Sequence, residues 1–405
     1  MEQASAGKVP LRAQAAMWGA SLFSVGGGNM PSVAVPLMLL ALDTPAFVIG
    51  VVVGARHVLS LVFSIHGGNL IDRLGARRVV FVCGLMSVIA PLLYPLTDNV
   101  AMTAIFQMFI GLASSVSWVG AQALVGSVMK GDPVHAGRIS SAAHFGNLVS
   151  PVAVGIAWDF LGPWGAFGFM ALWGVGLTVS ATMLPERPGA DSPDRAPVSL
   201  RVLVPNPRDY LDAIRMLAAP TIGVVILFSI LNIICSGIES SFFVVYLESV
   251  GFTGTFIGTL LSAGSVTGVA GSLLAGRLLR WMEAHWVIVW SMVIALVSLM
   301  VTPLFTAFLP LLAFALLRGA VLGVANPLII SMVSRGVPPG SQGRAVGMRN
   351  SSNRVAHALQ PVLMGAMVAQ VGLEASFYLM GGILMAAVVV LALHIRRSPD
   401  FKGRV

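Results

Sequence analysis

The chain has 405 residues, of which 57% are hydrophobic and only 10% are charged, and its formal net charge at pH 7 is +8. Soluble domains carry about 25% charged residues, so this composition excludes an ordinary soluble protein and predicts one that lies in a lipid bilayer. The positive charge does not indicate nucleic-acid binding, because the basic residues lie in short turns between apolar runs and form no continuous patch. Cys83 and Cys235 lie within apolar runs, which favours two buried thiols over a disulfide or a metal site. No cofactor is expected.

Twelve apolar segments are long enough to cross a membrane, since a helical span needs about 20 mostly apolar residues. The predicted membrane helices, numbered 1 to 12, cover residues 14–41, 46–66, 79–96, 100–129, 140–162, 165–184, 218–247, 253–280, 285–303, 308–333, 345–371 and 375–394. The first apolar run is too long for the core of a signal peptide, and no convincing cleavage site follows it. We therefore expect it to stay in the protein as predicted helix 1.

The charges in the turns differ between the two ends of the predicted bundle. Turns at one end carry acidic residues but no lysine or arginine, namely Asp43, Asp98, Glu248 and Glu374. Turns at the other end carry Arg73, Arg77, Arg78, Lys130, Arg138, Arg277, Arg280, Arg335 and Arg344. Because short cytoplasmic loops are rich in lysine and arginine, both chain termini are predicted to be cytoplasmic, and an even number of spans accounts for the alternation.

One long connection, residues 186–217, holds several prolines and charged residues and is predicted to be a cytoplasmic linker. It separates an N-terminal six-helix bundle, residues 1–185, from a C-terminal one, residues 218–405. The halves share short sequences, since PVAVG at 151–155 recurs as PVLMG at 361–365. Internal repeats build many transporter folds, with the substrate site between the halves near the middle of the bilayer. The predicted fold is therefore all-α, with twelve transmembrane helices in two pseudo-symmetric six-helix bundles.

Five ionisable residues lie deep within predicted spans, namely Arg56, Glu239, Arg318, Arg349 and Arg354. Such a residue costs roughly 2.5–3.5 kcal/mol on insertion scales, so it usually faces a cavity or a partner. Predicted helices 3, 6, 9 and 12 hold no deep charge. We expect these four to face lipid and the other eight to surround a polar centre.

Residues three or four positions apart share one face of a helix. This spacing shows which other polar residues lie on the same helix face as a deep charge. In predicted helix 11, Arg354 shares a face with Asn350. Arg349 points about 140° away and is expected either to extend its side chain to the membrane surface or to be structural. The predicted substrate-binding residues are Arg56, Gln107, Trp118, Asn232, Glu239, Arg318, Asn350 and Arg354. An alternative stays open, in which the deep arginines tie helices together through carbonyl groups or Glu239. His57 lies about 100° round from Arg56, which favours a packed histidine over a proton carrier.

Glu239 is the only deep acid, so it is the first candidate for proton coupling, and His144 is the second. The chain contains no nucleotide-binding sequence of the form GxxxxGK[ST], so the energy for transport is expected to come from an ion gradient. HExxH, GxSxG and paired aspartates do not occur either. The chain is therefore not expected to be an enzyme.

The sequence GNLIDRLGARR, residues 68–78, resembles the signature GxLaDRxGRR between helices 2 and 3 of the major facilitator superfamily. The matching residues are Gly68, Leu70, Asp72, Arg73, Gly75 and Arg77, while Ala76 replaces a usual basic residue. The twelve-helix, two-half plan extends the resemblance over the chain, and the resemblance implies that fold and transport by alternating access. It also implies a gate in which Asp72 meets the N-terminus of predicted helix 11 near residues 341–344, with Arg138 as part of the same gating motif. An anion at an exposed helix N-terminus contributes about 0.3–1 kcal/mol, which suits a contact that must be released.

A second family motif lies in predicted helix 5. GNLVSPVAVG, residues 146–155, resembles the GxxxGPxxGG run of efflux antiporters. Gly146, Pro151 and Gly155 match, while Ser150 and Val154 depart. This resemblance favours export. In predicted helix 4, Gln107 stands where proton-coupled members often have an arginine, so the usual proton relay is not implied.

The balance of deep charges indicates the class of solute. Four deep arginines against one deep glutamate predict a positive cavity, which favours carboxylate or phosphate groups because the guanidinium fork binds them well. The predicted function is secondary transport of a small organic solute, anionic or with an anionic head group, coupled to protons. A multidrug/proton antiporter that exports lipophilic compounds is the alternative, and a transport-inactive receptor on the same fold is a third. We expect a monomer in the inner (cytoplasmic) membrane, with the bilayer, the solute and protons as its partners.

Overall fold

The computed structural model describes residues 10–63, 70–71, 74–128, 133–185, 220–335 and 342–398. These residues are helical apart from short turns, and none of them forms a β-strand. A helix satisfies its backbone hydrogen bonds internally, which a chain inside a bilayer requires. The helical structure therefore agrees with the apolar composition.

Seven helices have defined bounds in the described part of the first half. It begins with α1 (Leu11–Asn29) and α2 (Pro31–Ala41), which follow one another almost without interruption. The next two, α3 (Ala46–Ala55) and α4 (Val58–Val62), are separated at Arg56 and His57. The remaining helices are α5 (Ala76–Leu93), which a 3₁₀ turn (Tyr94–Leu96) extends, α6 (Val100–Val128) and α7 (Pro133–Thr182).

The second half also contains seven helices among the residues that the structure describes. They are α8 (Pro220–Glu239), α9 (Phe242–Ser249), α10 (Gly254–Leu278), α11 (Ala284–Val301), α12 (Phe308–Arg335), α13 (Gln342–Val371) and α14 (Leu373–Arg397). A 3₁₀ turn (Thr302–Leu304) follows α11.

Nine segments of the described chain are long and apolar enough to cross a membrane, so this is a multi-pass membrane protein. The difference from the twelve predicted helices has three sources. The segment Ala46–Val62 is shorter than a full span. Helix α13 is long, but its first half is rich in arginine, asparagine and serine. Helix α7 combines predicted helices 5 and 6. The number of twelve spans and the side on which the termini lie stay predictions.

Helix α7 is interrupted at Gly162, where the backbone has φ 62° and ψ −153°. Glycine adopts a positive φ without the steric cost that a Cβ atom brings. Pro163 can begin the next helical segment, because the first turn of a helix needs no N–H group at that position. The break lies between predicted helices 5 and 6, so these two spans meet through a tight turn.

Two hydrophobic clusters connect the helices. The larger one includes residues of both halves, such as Leu39 and Ile49 from the first half and Phe242 and Met364 from the second. The smaller one lies within the first half around Met17. The two halves therefore pack directly on each other.

The helices that were expected to face lipid expose large apolar side chains. Val82 on α5, Leu172 on α7, Trp290 on α11 and Val390 on α14 are all exposed. Soluble monomers rarely show extensive apolar patches, whereas lipid tails surround such side chains at no cost. The outer surface is therefore suited to a bilayer.

Candidate functional site

Helices α3 and α13, one from each half, touch backbone to backbone. A Cβ atom added to Gly50 would overlap the carbonyl oxygen of Pro361, and one added to Gly54 would overlap that of Ala358. Only glycine permits so close an approach. We call this contact the α3–α13 seam.

Helices α7 and α10 form a second contact of the same kind, which we call the α7–α10 seam. A Cβ atom added to Gly155 would overlap the carbonyl oxygen of Gly254, and one added to Gly258 would overlap that of Pro151. Two residues of the predicted helix-5 motif, Pro151 and Gly155, therefore lie between the halves. The third, Gly146, packs against α1 within the first half.

A carboxylate adds hydrogen bonds to the α7–α10 seam. Asp159 on α7 accepts from the N–H of Gly254 at 2.7 Å and from the N–H of Thr255 at 2.8 Å. It also accepts from the hydroxyl of Thr255 at 2.6 Å. These groups form the first turn of α10, where unpaired N–H groups and the helix dipole attract an anion.

A cavity of about 710 Å³ lies between the halves. Its polar lining residues are Asn29, Asn147, Asn232, Asn326, Ser32, Ser140, Ser236, Ser240, Ser265, Ser272, His144 and Glu239. It extends to Ser140 on α7 and Ser272 on α10, which lie toward the ends of these helices remote from the seam. Amide and hydroxyl groups from both halves therefore face one shared cavity, with the α7–α10 seam at one end of it.

Glu239 lies at the end of α8 and lines this cavity, with 14% of its side chain exposed. Its Oε1 atom accepts from Nη2 of Arg318 at 3.0 Å, and Arg318 is fully buried. The Arg318 guanidinium also lies 5.0 Å from the ring centre of Phe243, a cation–π contact. Arg318 is therefore held in the wall behind Glu239, which is the geometry of the helix-tying alternative.

Arg56 lies at the interruption between α3 and α4. Helix α6 packs tightly at this point, since a Cβ atom on Gly111 would overlap the carbonyl oxygen of Arg56. The Nη1 atom of Arg56 donates to Oγ of Ser32 at 3.2 Å. Neighbouring α2 and α6 thus hold both the backbone and the side chain of this arginine.

A second cavity, of about 330 Å³, lies beside Arg56. Arg56 and Trp118 line it together with Ser114 and Ser115. It shares four lining residues with the larger cavity, namely Asn29, Ser140, His144 and Asn147. The two cavities therefore adjoin, with Arg56 in the lining of the smaller one and Glu239 in the lining of the larger one.

Arg354 on α13 reaches across to the first half. Its Nη1 atom donates to Oγ of Ser115 at 3.2 Å, and Ser115 is hydrogen-bonded to Ser60 at 3.0 Å. One turn further along α13, the ring of His357 stacks on that of His57, with centres 4.7 Å apart and planes at 15°. Within the described ranges, neither Arg56 nor Arg354 has a carboxylate partner.

The other predicted substrate-binding residues separate in the structure. Asn232 lines the larger cavity and Trp118 the cavity beside Arg56. Gln107 is buried in α6 and lines a third, small cavity next to Arg56. Asn350 is exposed on α13 and lines none of these three cavities, so sharing a helix face with Arg354 does not bring it to the site.

Several polar residues of the site were not selected from the sequence. Asn29, Asn147 and Asn326 line the larger cavity, and Asn29 donates a hydrogen bond to Asn147. Arg349, expected to be structural, donates to Oγ of Ser229 and to Oδ1 of Asn326, both at 2.9 Å. The available signal was an asparagine within an otherwise apolar span, since a neutral amide is also costly to bury without a partner.

Part of the predicted gating motif lies outside the described residues, namely Gly68, Asp72 and Arg73. Gly75 precedes α5 with φ 86°, a conformation that favours glycine, and Arg77 lies in the first turn of α5. The Arg138 guanidinium lies 6.0 Å from the ring centre of Trp18 on α1. The contact between Asp72 and the N-terminus of predicted helix 11 stays a prediction.

Helices long enough to cross a membrane, packed around a polar cavity, are the architecture of a membrane transporter. The sequence model of the Major Facilitator Superfamily matches residues 17–285 and 225–405. The chain belongs to the Major Facilitator Superfamily. It is therefore a transporter and not an enzyme.

The relatives of the chain include transporters of different solutes. The multidrug efflux pump Tap of Mycolicibacterium fortuitum is 24% identical over 415 residues, which cover 95% of this chain and 96% of Tap. The nucleoside transporter NupG has a TM-score of 0.77 at 16% identity, covering 95% of this chain and 99% of that chain. An inward-facing, occupied bacterial homologue of the human lysosomal transporter Spinster has a TM-score of 0.76 at 12% identity, covering 98% and 100%. At these identities the solved structures establish the shared fold alone. The class of solute therefore has to be inferred from the residues of the site.

Proposed function

We propose that the protein is a secondary active transporter of a small organic solute, anionic or with an anionic head group, in the inner (cytoplasmic) membrane. In this proposal twelve helices cross the membrane in two six-helix halves, residues 1–185 and 218–405, with both termini cytoplasmic. A linker of residues 186–217 joins the halves, and the protein acts as a monomer. The observation that carries the proposal is the polar cavity of about 710 Å³, which residues of both halves line. In this proposal the two glycine seams close one end of the cavity.

The two seams would form the outer gate of this transporter. In the proposed orientation they lie on the outer side of the membrane, and the cavity opens toward the cytoplasm. Separating the halves at the seams and closing the opposite ends would present the same cavity to the outside, as alternating access requires. Contacts between glycine backbones suit this movement, because no bulky side chains have to repack when the seams open.

Arg56 and Arg354 are the proposed ligands of the anionic group. Arg56 lines the smaller of the two adjoining cavities, and Arg354 donates to Ser115 in the lining of that cavity. Neither arginine has a carboxylate partner within the described ranges. A guanidinium binds carboxylate or phosphate through paired N–H donors. Trp118 and the amides that line the cavities would contact the rest of the solute. Arg318 contributes less in this proposal, because Glu239 already balances its charge.

Glu239 is the proposed proton-coupling residue, with His144 as a second candidate in the cavity lining. Protonation of Glu239 would remove the partner of a fully buried arginine, and breaking a buried pair on one side costs about 3–5 kcal/mol. A conformation in which Arg318 gains water or another partner would then be favoured. Proton uptake would thus be linked to movement within the second half.

Transport into proteoliposomes under an imposed pH gradient tests this proposal. The panel contains organic mono- and dianions and lipophilic cations, and it compares the wild type with Glu239→Gln and Arg354→Gln. We expect an organic anion to accumulate only while the pH gradient exists. Glu239→Gln should lose this accumulation but keep solute exchange, and Arg354→Gln should lose affinity for the anion. Arg349→Gln is the matched control for loss of a positive charge on the same helix, because Arg349 is already held within the second half by Ser229 and Asn326.

A multidrug/proton antiporter is the second candidate, and two observations favour it. The chain is related to Tap over nearly its whole length, and the partial efflux motif supplies Pro151 and Gly155 to the α7–α10 seam. The same assay separates the two candidates. Proton-driven movement of lipophilic cations, without transport of any organic anion, would replace the anion carrier by the drug antiporter.

A further inference from the structure

The two adjoining cavities differ in the charge of their linings. The smaller one includes Arg56, for which the described residues supply no carboxylate partner. Among its described lining residues the larger one has no lysine or arginine, and its only carboxylate is that of Glu239, whose charge Arg318 balances. A solute that occupies both cavities therefore meets a positive charge at one end and a neutral, polar surface at the other.

Amide side chains form much of the neutral end. Asn29, Asn147, Asn232 and Asn326 line the larger cavity. Asn29 and Asn147 also line the smaller cavity, so they lie where the two cavities adjoin. The four residues come from α1, α7, α8 and α12 and thus from both halves. Each amide carries an NH₂ donor and an oxygen acceptor, so this surface offers both kinds of hydrogen-bonding group.

Asn232 gives the most direct indication of a ligand. It is only 8% exposed, and its Nδ2 atom has no hydrogen-bond partner in the part of the chain that the structure describes. A buried donor without a partner is costly, so a group inside the cavity is needed to accept from it. Other amides are already oriented by the protein, since Asn29 donates to Asn147. In the second half, Asn326 accepts from Arg349 at 2.9 Å. Groups that are oriented in advance lose little freedom on binding.

This combination of groups indicates the chemistry of the solute beyond its charge. An ammonium group would need an unbalanced carboxylate, and Glu239 is already paired with Arg318. An apolar body would leave the amides without partners, and a site built for hydrogen bonds rejects such a compound strongly. A hydroxyl group both donates and accepts. It can therefore pair with an amide NH₂ group, with an amide oxygen or with the carboxylate of Glu239.

We propose that the solute is a polyhydroxylated organic anion, the chemical class of sugar acids and sugar phosphates. Its anionic group binds Arg56 and Arg354. Its hydroxylated body extends past Asn29 and Asn147 to Asn232. This inference rests on the proposed function, because the two arginines are the ligands proposed there. It adds that hydroxyl groups, and not charge alone, determine which anions are carried, with Asn232 as a specificity-determining residue.

Isothermal titration calorimetry on the purified protein in detergent tests the inference with compounds that share a six-carbon chain. Gluconate is a hydroxylated anion, hexanoate is an anion without hydroxyl groups, 6-aminohexanoate adds a positive charge at the far end, and glucitol is a neutral polyol. Glucose 6-phosphate and hexyl phosphate repeat the first comparison with a phosphate group. We expect a hydroxylated anion to bind at least about tenfold more tightly than its counterpart without hydroxyl groups, because each hydrogen bond contributes about two- to tenfold.

A variant of Asn232 locates the hydroxyl recognition in the site. Asn232→Leu keeps the approximate size of the side chain but removes the amide. It should weaken binding of the hydroxylated anion by about two- to tenfold and change the binding of its counterpart by less than about twofold. Asn350→Leu is the matched control and should change neither, since it makes the same exchange at an exposed position that lines none of the three cavities.

The outcomes separate this inference from the proposed function. If hexanoate and hexyl phosphate bind as tightly as their hydroxylated counterparts, the inference is wrong and an anion carrier remains. Tighter binding of 6-aminohexanoate than of gluconate would also overturn it, in favour of a solute with a cationic end. If glucitol binds as tightly as gluconate, hydroxyl recognition is supported and the anionic group of the proposed function is overturned. Binding of neither hydroxylated anion overturns the inference, whereas the transport panel decides the proposed function independently.

Discussion

Arg318 is buried and Arg56 is half-buried beside the central cavities, and they differ in the partners that the structure gives them. Arg318 is paired with Glu239 at 3.0 Å and packs on the ring of Phe243. Arg56 donates to the hydroxyl of Ser32, and no carboxylate accompanies it among the described residues. An arginine side chain thus has a balancing carboxylate in the second half, at Arg318, and none among the described residues in the first half, at Arg56.

This difference indicates which arginine is available to a ligand. A charge inside a membrane protein needs a partner of opposite charge or a polar environment. The carboxylate of Glu239 balances the charge of Arg318. Arg56 and Arg354 have no carboxylate partner among the described residues, which is why these two arginines are the proposed ligands of the anionic group. The pair Glu239–Arg318 instead offers a carboxylate whose protonation changes the stability of its surroundings.

The largest expected effect concerns the stability of the paired site. Glu239→Ala leaves Arg318 buried without its partner and should lower the free energy of unfolding by about 3–5 kcal/mol. Replacing both residues in Glu239→Ala/Arg318→Met removes the unpaired charge and should recover most of that loss. Thermal and denaturant unfolding in detergent measure both values. A double variant no more stable than the single one would mean that Arg318 does not depend on Glu239 for compensation.

A smaller effect is expected on binding at the unbalanced site. Arg354→Gln should weaken the binding of the organic anion that the transport panel selects by about tenfold or more, because a hydrogen bond to a charged group contributes about 1.5–3 kcal/mol. Arg349→Gln, on the same helix, should change the dissociation constant by less than about threefold. Isothermal titration calorimetry on purified protein gives both constants. Equal losses in the two variants would remove the distinction between the two arginines of α13.

The smallest effect tests how Arg354 is oriented. Ser115→Ala removes the acceptor for Nη1 of Arg354, and a typical hydrogen bond contributes about 0.5–1.5 kcal/mol. The affinity for the same anion should therefore fall by about two- to tenfold while Arg354 keeps its charge. Ser265→Ala, in the lining of the larger cavity away from Arg354, is the control in the same titration. An unchanged affinity in Ser115→Ala would show that this hydrogen bond does not position Arg354 for the solute.

Local features of the sequence predicted much of the fold. The long apolar runs required helices, because backbone groups in a bilayer must be paired within the segment. The break between predicted helices 5 and 6 was also visible, since Gly162 and Pro163 adjoin there. The interruption at Arg56 and His57 was not, because neither residue is a helix breaker and the packing of Gly111 accompanies it.

The sequence predicted which charged residues lie deep in the membrane but not how they pair in the candidate site. The deep arginines and the single deep glutamate could each be recognised from the sequence of their own helix, because the cost of burying a charge depends on its depth in the membrane. That Glu239 pairs with Arg318 rather than with Arg56 depends on helices 79 residues apart in the chain. Asn350 was selected for its place on a helix face and is exposed, whereas Asn29 and Asn326 line the cavity.

The sequence by itself determined that this protein is a helical membrane protein with a polar interior, since composition and hydropathy act along the chain. It also determined which side chains need compensation. The tertiary structure decided which helices meet, and therefore that Glu239 balances Arg318 whereas Arg56 has no carboxylate partner among the described residues. The physical reason is that membrane insertion depends on each segment separately, whereas charge compensation depends on distances of a few ångströms between segments that only packing brings together.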